Sequence, residues 1–207
     1  MSFSALATEH PGFADFWSAY QAEHERVRAA VMEVALRDPV LGAVVAATPR
    51  DVAEARQIEG RARLARALET GDWAPYVESL EAQATTYARR RVPLSAWMAI
   101  ARAVERAVHP ALAREHAADA PRLVHAVDAM RAFVDAGISV IADRYMAVRE
   151  DDRFQRLVEA VKEYAIFMLD SEGRVATWNA GARALKGWTT EEIVGQPLAT
   201  FFPPEER

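Results

Sequence analysis

The 207-residue chain contains five histidines, His10, His24, His109, His116 and His125, and no cysteine. A helical metal site places two imidazoles at i and i+4 on one face, and no pair of these five has that spacing. His109 stands directly before Pro110 and lacks the acidic neighbour expected of a phosphate-accepting histidine, so it reads as a helix-end residue. The missing cysteine removes disulfides, thiolate metal sites and cysteine nucleophiles together. Neither a glycine-rich phosphate loop nor a nucleophile elbow is present, and no spaced carboxylate pair has an identifiable partner. No catalytic residue and no metal site is assigned, and the chain is not expected to be an enzyme by itself.

Binding and relay are the remaining classes, and composition narrows them. The net charge of −5 argues against a nucleic-acid surface, which needs clustered positive charge. The one dense basic run, Arg89-Arg90-Arg91, suits the end of a helix, where cations are favoured. Met1 to Phe16 lacks the basic start and continuous apolar stretch of a signal peptide. The richest apolar window, Val40 to Ala47, falls far short of the ~20 residues that a membrane span requires. A cytoplasmic chain with no membrane contact is expected.

Periodicity places helices first. Phe13, Phe16, Trp17, Tyr20, His24, Val27 and Val31 recur at three- and four-residue steps, predicting one helix that ends at Asp38-Pro39. Thr48, Pro49 and Asp51 predict a second, with Thr48 as its N-cap, running to about Glu69 and broken at Gly71-Asp72. Asp72 should cap a third, which carries Trp73, Tyr76, Val77, Leu80 and Tyr87 inward and stops before Pro93. A fourth starts at Ser95 and should kink or end at Pro110. Pro121 opens the last and longest. Along it Val134, Ile138, Ile141, Tyr145 and Val148 follow a heptad-like seam, which fits either a coiled coil or a long core helix. Beyond Val161 the period changes: Ala165–Leu169 and Val175–Trp178 read as strands joined by a turn over Asp170–Gly173. Asn179 can cap a helix Ala180–Leu185 ended by Gly187, and Thr189 with Glu192 forms a capping box for a short helix stopped by Gly195.

Tyr164 to Asp170, Gly173-Arg174-Val175, Trp178-Asn179-Ala180-Gly181-Ala182, Gly187-Trp188 and Glu192 to Gln196 together resemble a PAS domain. They are most similar to those near the N-terminus of bacterial sensor histidine kinases. The signature positions are Asp170, Gly173, Trp178, Asn179, Gly181, Ala182, Gly187, Trp188 and Gly195. Trp178 and Trp188 are expected in the small core; stacking on a cofactor is the other use of such rings. The resemblance covers only the N-terminal half of a PAS domain, which implies a truncated piece of a longer protein that cannot hold a PAS ligand alone. A light-driven cysteinyl adduct is excluded by the absence of cysteine.

The helical part carries a second resemblance. Leu68 to Val77 and Tyr87 to Trp97 resemble the middle of a sensor globin. Haem-binding members of that family place their proximal histidine where this chain has Tyr87, so the resemblance implies a non-haem sensor globin. Tyr87 could ligate iron as phenolate or simply pack in the core. No cofactor is expected. The fold expected is mainly α, with a globin-like or bundle domain joined by a long helix to a partial α+β PAS domain. Its parts are a sensor domain over 1–120, a linking helix over 121–152 and the PAS half over 153–207. The function expected is signal input and relay in a larger two-component receptor, acting as a homodimer through the long helix. A haem or gas sensor, and a dimerisation scaffold without ligand, are the alternatives.

Overall fold

The computed structural model describes residues 2–201; the end of the PAS-like stretch, Phe202–Arg207, lies outside them. The chain divides into two compact units, Met1–Val148 and Arg149–Arg207.

Among the described residues, every regular element of the first unit is a helix. Its elements are α1 (Phe3–Glu9), α2 (Phe13–Ala22), α3 (His24–Arg37), α4 (Pro39–Ala46), α5 (Arg50–Thr70), α6 (Ala74–Arg89), α7 (Leu94–Glu115) and α8 (Ala120–Ala160), the last continuing into the second unit. Its main core is aromatic. Phe3 stacks on Trp73 at 5.3 Å and meets Phe133 edge-on at 5.3 Å, while Phe133 also reaches Phe16 at 5.5 Å. These four rings gather α1, α2, α8 and the residue before α6, and aromatic pairs of this geometry add stabilisation beyond their area.

Several expectations are corrected here. The helix predicted from Phe13 to Asp38 is two helices, broken at Glu23, whose carboxylate is held by Arg114 of α7 at 2.9 Å and approaches Arg26. Asp38-Pro39 does end a helix, but Asp38 also starts the next, accepting from the Val40 and Leu41 amides at 3.0 and 2.8 Å. Thr48 does not cap α5; its hydroxyl donates back to the Val44 carbonyl at 2.8 Å. α7 runs unbroken through Pro110. The ring removes one backbone bond, but Val108 and Leu112 on either side are completely buried, and that packing holds the helix across it.

The heptad-like seam faces inward over its middle. Ile138 and Ile141 pack with Ala84, Trp97 and Ile100 of α6 and α7. The buried Tyr145 donates its hydroxyl to the Val92 carbonyl at 2.8 Å.

Asp15 of α2 and Arg122 of α8 form a bidentate pair at 2.7 and 2.8 Å. The hydrogen bond from Arg122, aided by its charge, holds the Asp15 carboxyl below the usual carboxylate range. Asp15 is largely covered but Arg122 is half exposed, so solvent screens the pair and its contribution is modest. Folding lowers this carboxyl, so its contribution is present above the unfolded value of about 3.9 and fades as pH falls through the lowered folded value. Urea unfolding of the wild type and Asp15→Asn should therefore differ at neutral pH and converge in acid. A difference that stays constant with pH would refute the ion pair.

In the second unit the predicted hairpin closes without a regular ladder; it shows a single antiparallel bridge, Leu169 to Val175. Side chains supplement the backbone bonds along it. The Met168 amide donates to the Thr177 hydroxyl at 2.9 Å and the Ile166 amide to the Asn179 side chain at 2.9 Å. The turn is held by Asp170, whose carboxylate accepts from the amides of Glu172 and Arg174, both at 2.9 Å, with Gly173 left-handed at φ 75°. α9 (Ala180–Lys186) and α10 (Thr190–Ile193) follow, and the chain then returns beside the hairpin through bonds between Val175 and both Gly195 and Gln196. The core beneath is Val175, Trp178, Ala182 and Ile193, closed by Phe167 and Phe201.

Candidate functional site

The end of α8 is built into the second unit by one side chain. Asn179 leaves the second strand-like segment and is 3% exposed. Its carbonyl oxygen accepts from the Ala182 amide at 2.8 Å, capping α9, and from the Ile166 amide at 2.9 Å. Its amide nitrogen faces three carbonyls, those of Val158 at 3.0 Å, Val161 at 2.9 Å and Tyr164 at 3.2 Å. An amide carries two hydrogens, so at least one is shared. The last carbonyls of a helix have no partner within it; here Asn179 supplies one for α8 while capping α9.

Glu159 makes a second tie. One carboxylate oxygen accepts from the Ala180 amide at 3.1 Å, and the other pairs with Arg183. An anion is favoured at the start of a helix, and Arg183 also reaches the Trp178 carbonyl at 3.2 Å and the Thr190 hydroxyl at 3.3 Å. α8, the hairpin, α9 and α10 thus meet in one polar cluster.

Gly181 explains the closeness. A Cβ there would lie 2.0 Å from the Tyr164 carbonyl oxygen and 2.9 Å from that of Val161. No side chain fits between α9 and the strand-like segment arriving from α8. Ala182, the next residue, is completely buried in the core.

The remaining signature residues hold the frame. Trp178 stacks on Phe201 at 5.4 Å and donates its indole N–H to the Trp188 carbonyl at 2.9 Å. Trp188 was expected in the core with it; its side is 41% exposed, and it serves through its backbone. Gly187 and Gly195 are left-handed, at φ 80° and 84°. Thr189 and Glu192 complete the capping box, and the bonds from Thr189, first its backbone N–H, hold the Glu192 carboxyl below its usual range. Sequence reasoning missed Glu159, Arg183 and the Tyr164 carbonyl, because none belongs to a local motif.

Tyr87, at the position of the globin proximal ligand, lies in the other unit. Its half-buried ring packs against Trp97 at 5.4 Å. That contact and its neighbours Ala84 and Ile100 account for the ring by packing.

Comparison with known proteins agrees with this frame. Residues 152–207 match the PAS fold family. A stretch of 57 residues, 28% of this chain, is 49% identical to Two-component system protein A of Emericella nidulans. That stretch covers 8% of the relative, so the chain spans less than a tenth of the protein it matches. No solved structure matches the chain. Among the described residues, no helix is long and apolar enough to cross a membrane.

Proposed function

We propose that this chain is the sensory input module of a larger two-component receptor, with a histidine kinase as its output. In this reading the helical domain over 1–120 senses, the helix over 121–152 carries the change, and the PAS region over 153–207 passes it on in the cytoplasm. The observation that carries the proposal is the Asn179 cluster, which fastens the Val158 carbonyl in the last turn of α8, and the Val161 carbonyl just past it, to the hairpin and to α9. A helix that enters a domain by its own backbone delivers rotation to it. The mechanism is a shift between two arrangements of α8, biased by what binds upstream. The PAS match and the relative's two-component title support the signalling class.

The test is insertion into α8 beside Glu150 of the full-length receptor. At 3.6 residues per turn, one added residue rotates the downstream part by about 100°, whereas four come close to restoring the face. Autophosphorylation should be altered most by the single insertion and much less by the fourfold one. Output unchanged by both would end the relay reading.

A further inference from the structure

A cleft of about 650 Å³ opens in the helical unit between α2, the start of α3, α5 and α6. That volume lies within the range of small-molecule sites, which combine apolar walls with a few placed polar groups. The walls are Trp17 and Tyr20, Ile58 and Leu64, and Tyr76 and Leu80. Trp17 and Tyr20 stack on each other at 5.3 Å, presenting a flat aromatic side. Ile58, at the rim, is 69% exposed and adds apolar surface to the opening.

One buried polar atom among the residues of the cleft lacks a partner. His24 Nε2 is buried and has no hydrogen-bond partner among the described residues; such atoms are uncommon in folded proteins and call for an explanation. Tyr20 and Tyr76 are partly buried, and that burial pushes both hydroxyls up, so they remain neutral donors. Arg61 is exposed, and its charge is felt by both Tyr20 and Glu25. Glu25 is itself held by Arg28 at 2.8 and 3.0 Å, which leaves Arg61 without an ion pair among the described residues. No aspartate or glutamate lines the cleft.

Gly60 points the same way. It sits inside α5, where glycine weakens a helix, and it lines the cleft. A Cβ added there would meet nothing within 4 Å, so crowding does not explain the glycine. A side chain there would extend into unfilled space, so a large one would occupy the cleft.

We propose that this cleft binds a small aromatic carboxylate, its ring against Trp17, Tyr20 and Tyr76 and its carboxylate on Arg61. Guanidinium takes a carboxylate in a two-pronged bond, and aromatic walls favour a ring by offset or edge contact. The proposal rests on reading the helical domain as the sensor and supplies that sensor's ligand class. Binding is measured on the chain itself, so its failure is distinguishable from failure of the relay, which is read in receptor output.

The experiment is calorimetric titration of residues 1–207 with 2-naphthoate, 2-naphthalenemethanol and decanoate. 2-Naphthoate should bind one per chain and more tightly than either comparison compound. Arg61→Gln, at an exposed position, should weaken it about tenfold. Gly60→Phe should abolish binding while far-UV circular dichroism keeps its helical amplitude. No binding of 2-naphthoate, or equal binding to wild type and Gly60→Phe, overturns the site. Tighter binding of decanoate overturns the aromatic class, and equal binding of the neutral alcohol overturns the role of Arg61.

Discussion

Asn179→Asp is expected to destabilise the second unit by about 3 kcal/mol at neutral pH, as much as Asn179→Ala. Aspartate and asparagine are equally good N-caps, so a residue needed only to start α9 would tolerate the change. The structure makes Asn179 a donor as well, with its amide facing the carbonyls of Val158, Val161 and Tyr164 at 2.9–3.2 Å. A carboxylate there would set a buried negative charge against three carbonyl oxygens. Acidification should recover part of the loss, because a protonated carboxyl regains a donor. Hydrogen exchange at the Ile166 and Ala182 amides reports the effect directly, since both donate to this side chain. Wild-type protection in Asn179→Asp would reduce the residue to a cap.

Gly181→Ala tests the same junction by volume instead of charge. Within a helix this change ordinarily gains about 1 kcal/mol. The added carbon would sit 2.0 Å from the Tyr164 carbonyl oxygen, and a backbone atom cannot rotate away as a side-chain tip can. Forcing extra volume into packed structure costs about 3 kcal/mol at the upper end of the usual range, so the clash outweighs the propensity gain. The Tyr164 carbonyl also accepts from Asn179 at 3.2 Å, which makes the two positions share one contact. The double variant Asn179→Ala with Gly181→Ala should cost less than the two single losses combined. Additive losses in urea unfolding, or a stabilised Gly181→Ala, would refute the close approach.

Much of this fold is written in local signals. α5 ends at Gly71, α8 begins beside Pro121, and the Thr189–Glu192 box starts α10, each from residues adjacent in sequence. α1 escaped because seven residues cannot display a helical period; it is held by its Ser2 cap and by burial of Phe3 and Leu6. The seam on α8 shows a deeper ambiguity. A spacing of three and four describes any helix with one buried face, and Ile138 and Ile141 meet that need inside their own bundle. At the site, the acceptor role of Asn179 was legible because Ala182 is three residues on. Its donor role joins residues 15 to 21 positions away, and closure over that distance leaves no local mark. The reason for glycine at 181 is likewise a carbonyl 17 positions upstream, at Tyr164. His24 belongs to an apolar stripe and has no second histidine at metal-site spacing, and neither feature marks an unpartnered nitrogen.

The shared amide of Asn179 has a mechanical consequence. Val158, Val161 and Tyr164 all present their carbonyls to one side chain, so the stretch between the last turn of α8 and the hairpin is tied at three points. In the proposed relay a substitution that loosens α8 upstream of Val158 should change the output while hydrogen exchange at the Ile166 and Ala182 amides stays at the wild-type level.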